Sequence, residues 1–152
     1  MTLTQIKTEF PQFQFTPGKN FFWSPRSQTV FYQPRQLASK YGRLALLHEV
    51  GHGLAGHRSY QLDIDLLNME VEAWSQARQL AARLRLSIDE DHIDQCLETY
   101  RSWIYKRSLC PQCEATSLQR DTRTYECFNC GAEWRVATTR SLHPRRMALR
   151  SA

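Results

Sequence analysis

The sequence predicts an α+β fold: a helix-rich body carrying a β hairpin, followed by a small four-cysteine module. Three observations point there. An aromatic and β-branched stretch at 13–33 is broken by the turn signals Pro17-Gly18 and Ser24-Pro25-Arg26-Ser27. Three segments of helical periodicity follow between 35 and 107, and two Cys-x-x-C pairs lie beyond residue 109. With 41% hydrophobic and 11% aromatic residues the chain is not globally disordered.

Within 13–33, strands near 21–23 and 29–33 are expected to form a hairpin across the second turn. A helix follows from about 35 to 55. One of its stripes runs Leu37, Tyr41, Leu44, His48, His52, Ala55, and another Leu46, Val50, Leu54. Apolar positions on opposite sides predict a helix buried nearly all round. Gly42, Gly51 and Gly53 each weaken such a helix by about 1 kcal/mol relative to Ala, which makes sense if something packs closely against its backbone. Residues 69–85 form the second helix. The third opens at Ser87, where Ser-Ile-Asp-Glu matches a capping box. Its stripe of Ile93, Cys96, Leu97, Tyr100, Trp103 and Ile104 makes Cys96 a core thiol.

The central helix contains His48-Glu49-Val50-Gly51-His52. Positions i and i+4 share a helix face, so two imidazoles there can converge on one zinc ion. Glu49 is one residue round, where a carboxylate can reach a water on that zinc. This is the zincin arrangement. Burying His, Glu and His on an apolar helix costs free energy unless something pairs with them. An open zinc site needs a third protein ligand, and the candidates are His57, Asp63, Asp65, Glu70, Glu72 and His92. His57 follows His52 by five residues, where a metzincin requires six. Glu70 is in line with Trp74, Ala77, Ala81 and Leu84 on the dry stripe of the second helix. Glu72 is in line with Gln76, Gln79 and Arg83 on the wet face. A carboxylate on the dry stripe requires a cation, which favours Glu70.

"LLHEVGHGLAGH" followed by "MEVEAWSQARQLA" resembles the ImmA/IrrE family of metallopeptidases, over about residues 20–84. That family has His-Glu-x-x-His on one helix and Glu-x-Glu-Ala on the next. The resemblance implies that His48, His52 and Glu70 hold a catalytic zinc and that Glu49 is the general base. It also implies a protein substrate, of the repressor-type regulator kind. A SprT-like protease acting on DNA-associated proteins also joins His-Glu-x-x-His to a zinc ribbon, but takes a histidine as third ligand. A third alternative is a non-catalytic adaptor in which zinc holds the modules together.

Farther along, "CPQCEATSLQRDTRTYECFNCG" places Cys110, Cys113, Cys127 and Cys130 as two knuckles that close a tetrahedral four-thiolate site, resembling a zinc ribbon with a structural zinc. A hairpin is expected around its polar Arg120-Asp121-Thr122-Arg123 centre. Leu118, Tyr125, Trp134 and Val136 offer a core too small to fold without such a staple. Net charge is +5, and residues 108–152 hold 7 Lys/Arg against 4 Asp/Glu. The excess is too weak to establish nucleic-acid binding, for which Arg120, Arg123, Arg135, Arg145 and Arg146 are the first suspects.

The expected organisation is a zincin-like metallopeptidase domain at 1–107, a zinc ribbon at 108–137 and a mobile basic tail at 138–152. The expected activity is zinc-dependent hydrolysis of a peptide bond in a cytoplasmic protein. The hairpin edge near 29–33 would align an extended substrate, and Tyr60 or His92 would stabilise the oxyanion. The stretch "MTLTQIKTEFPQFQF" lacks the pattern of a signal peptide, and no apolar run is long enough to span a membrane, so a cytoplasmic setting is expected.

Overall fold

A computed structural model describes residues 3–137 and 144–150. Among these the chain is α+β, with four α-helices and two β-sheets. It divides into two compact units. The first takes residues up to Ser59 together with Asn68–Ile93, and the second takes Tyr60–Leu67 together with residues from Asp94 onward. No helix among the described residues is long and apolar enough to cross a membrane.

The first unit opens with α1 (Leu3–Glu9), β1 (Gln14–Pro17), β2 (Phe22–Ser24) and β3 (Thr29–Tyr32). β3 is the middle strand, parallel to β1 and antiparallel to β2, with Val30 opposite both Phe15 and Trp23. Burial explains this place: Thr29, Val30 and Tyr32 are all inside. The β2–β3 pair is the expected hairpin. β1 was not expected, because parallel pairing leaves no local pattern in "QFTP". Its presence corrects the idea of a free edge at 29–33: β3 is paired on both sides, and the open edges belong to β1 and β2.

The helix expected from 35 is split into a 3-10 turn at Pro34–Gln36 and α2 (Lys40–Leu54). Ser39 makes the division: its Oγ accepts from the Gly42 N–H at 2.9 Å, an N-cap that restarts the helix. A Cβ on Gly42 would overlap the Gln36 carbonyl, so only glycine allows the turn to fold back this tightly. Burial all round holds for the middle of α2, where Leu44, Leu46, Leu47, His48, Val50, Gly51 and His52 are inside, but Tyr41 and Leu54 are exposed.

α3 (Asp63–Arg83) starts six residues before the expected 69. Asp65 Oδ2 accepts the Leu62 N–H at 3.0 Å, and acids at 63 and 65 suit the positive end of the helix dipole. The helix ends where Arg85 takes a φ of +53° and the Leu86 N–H returns to Ala81 O at 2.8 Å. That geometry usually calls for Gly, so the sequence hid it. α4 (Glu90–Ser108) is capped by Asp89, whose Oδ1 accepts the His92 N–H at 3.1 Å. The capping box at Ser87 therefore does not form.

In the second unit an antiparallel sheet runs in the order β4 (Leu118–Gln119), β5 (Thr124–Glu126), β6 (Glu133–Val136), β7 (Arg146–Arg150). Asp121 Oδ1 turns the β4–β5 hairpin by accepting the N–H groups of Arg123 and Thr124, each at 2.9 Å. Tyr125 and Trp134 stack at 5.5 Å in a core shared with Cys110, Cys127, Ala132 and Val136. Leu118, expected in that core, is exposed.

The unit does not begin at 108. Arg107 is buried and grips the buried Asp63 carboxylate with Nε at 2.5 Å and Nη2 at 3.2 Å. Tyr125 donates to the same carboxylate at 2.6 Å, and Trp134 Nε1 donates to Arg107 O at 3.0 Å. A buried ion pair persists only with its partners in place, so the first turn of α3 and the end of α4 belong with the ribbon. The expected basic tail falls partly on residues 138–143 and 151–152, outside the described residues. Arg146–Arg150 is not a tail but β7, paired to β6.

Candidate metal centre

His48 and His52 lie one turn apart on α2, and Glu70 lies on the stripe of α3 that also buries Trp74, Ala77 and Ala81. His48 Nε2 is 3.0 Å from Glu70 Oε2 and 3.1 Å from His52 Nε2. His52 Nε2 is 3.5 Å from Glu70 Oε1. Ligands held tetrahedrally at zinc distances of about 2.0–2.1 Å stand roughly 3.3 Å apart, so this triangle has the dimensions of a zinc face. Its proton count agrees. Each imidazole Nε2 carries at most one hydrogen, yet each faces both the other nitrogen and a carboxylate oxygen. A cation at the centre satisfies all three lone pairs together.

Burial pushes the Glu70 carboxyl up, but its hydrogen bonds to His48 and His52 outweigh this and hold it well below the usual carboxylate range. Glu70 is thus present as the anion a divalent ion requires. Glu49, on the turn between the two histidines, behaves oppositely. Burial raises its pKa, only partly countered by His48, His52 and a hydrogen bond from the Trp23 backbone N–H. One carboxylate is held ionised, and burial favours the neutral form of the other.

Among the described residues, Glu70 alone of the third-ligand candidates groups with His48 and His52. Asp63 is engaged by Arg107 and Tyr125 in the second unit, and Asp65 caps α3. His92 sets its ring against Tyr41 at 4.5 Å and Trp74 at 6.3 Å, and Tyr60 is an exposed residue of the second unit. His57 and Glu72 are the surprise. His57 is buried, its Nδ1 is 2.8 Å from His52 Nδ1, and its Nε2 is 3.1 Å from Glu72 Oε2. Glu72 is exposed, as its stripe predicts, and still reaches inward. Gly56, one residue past the α2 cap, was the signal that could have found this contact. Trp74 stacks on the His48 ring at 4.2 Å.

The four cysteines form the other group. Cys110 Sγ is 3.6 Å from Cys130 Sγ, and Cys113 Sγ is 3.6 Å from Cys127 Sγ. These separations are too long for disulfides and close to the roughly 3.8 Å edge of a zinc tetrahedron with 2.3 Å bonds. The knuckles are copies of each other. Cys110 N–H bonds Ala115 O and Glu114 N–H bonds Cys110 O, while Cys127 N–H bonds Ala132 O and Gly131 N–H bonds Cys127 O. Glu114 and Gly131 both take positive φ, +59° and +74°. Ser117 beside Cys127 pulls that thiol down to about 6. At Cys130 an N–H from Ala132 favours the thiolate, but burial and three neighbouring sulfurs outweigh it and push the thiol up to about 12. A cation among the four sulfurs would favour their thiolate forms.

The arginines suspected of touching nucleic acid are largely occupied. Arg120 pairs with Glu133 at 2.6 Å and Glu126 at 3.4 Å, Arg123 Nε reaches Val136 O at 3.5 Å, and Arg146 donates to Leu109 O at 2.6 Å. Arg135 and Arg145 are exposed. Both the His/His/Glu group and the four-cysteine group fit zinc. No family model, curated protein or solved structure matches this chain.

Proposed function

We propose that the first unit is a zincin-like peptidase and that the chain hydrolyses a peptide bond in a protein substrate. The observation that carries this reading is Glu49, a half-buried carboxylate of raised pKa on the same helical turn as His48 and His52 of the His48/His52/Glu70 triangle. A zinc ion held there would supply Lewis-acid chemistry, polarising the scissile carbonyl and making water more acidic. Glu49 would take the proton from the attacking water and deliver it to the departing amine. The Trp23 backbone N–H donates to the Glu49 carboxylate. Because Trp23 lies on β2, an extended peptide added to the open edge of β2 would run past Glu49. The likeness to the ImmA/IrrE family supports a cytoplasmic regulator as substrate. Convergence of Glu70, rather than a histidine, with His48 and His52 weighs against the SprT-like alternative.

A degenerate peptide library tests the reading. Zinc-loaded protein should generate new amino termini detectable by mass spectrometry, a chelator should abolish them, and added zinc should restore them. No cleavage by fully loaded protein would overturn it.

A further inference from the structure

We propose that Glu72 and His57 are positioning residues that orient His52 through a hydrogen-bonded relay, Glu72–His57–His52, ending at the candidate metal centre. The inference rests on that centre holding a metal. Its origin is the end of α2. Gly56 takes a φ of +69°, its N–H returns to Gly53 O at 3.1 Å, and the His57 N–H returns to His52 O at 3.0 Å. This is a Schellman closure, which brings the residue after the glycine over the residue five positions earlier, usually as an apolar contact. Here both residues are histidines, and the contact is an Nδ1 to Nδ1 approach of 2.8 Å.

Chemistry gives the relay one direction. A metal at His52 Nε2 uses that lone pair, so the His52 proton is on Nδ1 and donates to His57 Nδ1. His57 then carries its proton on Nε2, which donates to Glu72 Oε2. Every donor has one acceptor, and no group need be charged except the carboxylate. His57 is fixed independently, because its backbone oxygen accepts from Trp23 Nε1 at 3.0 Å. The other ligand is held differently: among the described residues His48 Nδ1 is buried without a hydrogen-bond partner, and its ring stacks on Trp74. A metal-bound histidine ordinarily donates its second nitrogen to a carboxylate or carbonyl, and this contact sets tautomer and affinity. Among the described residues His52 has such a contact and His48 does not, and the contact passes through a second histidine.

Long-range ¹H–¹⁵N NMR of the full chain loaded with zinc should find His52 protonated at Nδ1 and His57 at Nε2. His57 protonated at Nδ1 instead overturns the proposal. Chelator competition supplies the second measurement, with the four-cysteine zinc as internal reference. His57→Phe should weaken the other zinc by about 10–100-fold, and Glu72→Ala by roughly threefold to tenfold. The double variant should be no worse than His57→Phe, since Glu72 acts only through His57. Full additivity would overturn the relay, as would unchanged affinity in Glu72→Ala, an exposed position whose change does not threaten folding. A wild-type chain that binds only one zinc sinks the metal centre itself, a result distinct from two zincs with indifferent variants.

Discussion

Gly51 on α2 and Ala73 on α3 meet backbone to backbone, so that a Cβ on Gly51 would overlap the Ala73 carbonyl oxygen. The contact brings Glu70, one turn before Ala73, within reach of His48 and His52. Gly51→Ala should therefore force the helices apart. Overpacking of this kind costs about 1–3 kcal/mol, and the zinc at His48/His52/Glu70 should be lost while the cysteine-bound zinc remains. Thermal melting and elemental analysis check both parts; a wild-type melting temperature with two zincs would show that the close approach is dispensable.

Protein purified without added metal should hold two zinc ions per chain, and Cys113→Ser should hold one. Cys113 contributes one of four converging sulfurs, a group distinct from the His48/His52/Glu70 group. Retention of both ions in the variant would count against the four-cysteine site.

Glu49→Gln should keep the fold and both zincs while sharply slowing turnover. Glutamine preserves size and can accept the Trp23 N–H but cannot take a proton from water. Removing a general base lowers rates by about 10²–10⁴-fold, which corresponds to roughly 3–5 kcal/mol of transition-state stabilisation. Cleavage at the wild-type rate would leave α2 as a metal-binding helix without catalytic function.

Tyr125→Phe should destabilise the second unit by about 1.5–3 kcal/mol at neutral pH, the worth of a hydrogen bond to a charged group. Burial, with the Asp63 carboxylate beside it, raises the Tyr125 pKa above its ordinary value of 10.0. The folded state thus keeps a proton that the unfolded chain gives up as pH passes 10. The excess stability of wild type over Tyr125→Phe is fully present below pH 10 and should shrink as pH rises above it. Denaturant titrations at pH 8 and above pH 10 measure the difference, and a constant gap would contradict the hydrogen bond to Asp63.

The parts of this molecule that were legible in its sequence are those carried by one element. His48 and His52 are one turn apart on a single helix, and the stripe through Trp74, Ala77 and Ala81 puts Glu70 on the dry side of the next. Both facts follow from 3.6-residue periodicity. Likewise each Cys-x-x-C closes its own knuckle. What stayed hidden depends on joining elements. β1 pairs with β3 across more than ten residues, and Arg85 and Glu114 take left-handed backbone conformations without glycine to announce them. Its stripe places Glu72 in water, correctly for its exposure, but no helical wheel shows that a turn after α2 returns His57 to it. The buried pair of Asp63 and Arg107 is 44 residues apart in sequence, which is why the boundary expected at 107 does not divide the compact units.

That pair has a consequence for how the protein can be made. Residues 60–67 belong to a unit whose remaining parts start at Asp94 and include Tyr125 and Trp134. On a ribosome adding about 5–20 residues per second, Asp63 emerges several seconds before Tyr125. Arg107 emerges between them and neutralises Asp63, but until Tyr125 and Trp134 follow, the first turn of α3 lacks the groups that cover it. The two units are threaded through each other in sequence, so no single cut separates them. A fragment ending at 107 retains the Asp63–Arg107 charges but has lost the tyrosine and the indole that accompany them. Expression trials that divide the chain at its cysteines would produce two incomplete halves, and low yield of either would report on the cut rather than on the protein.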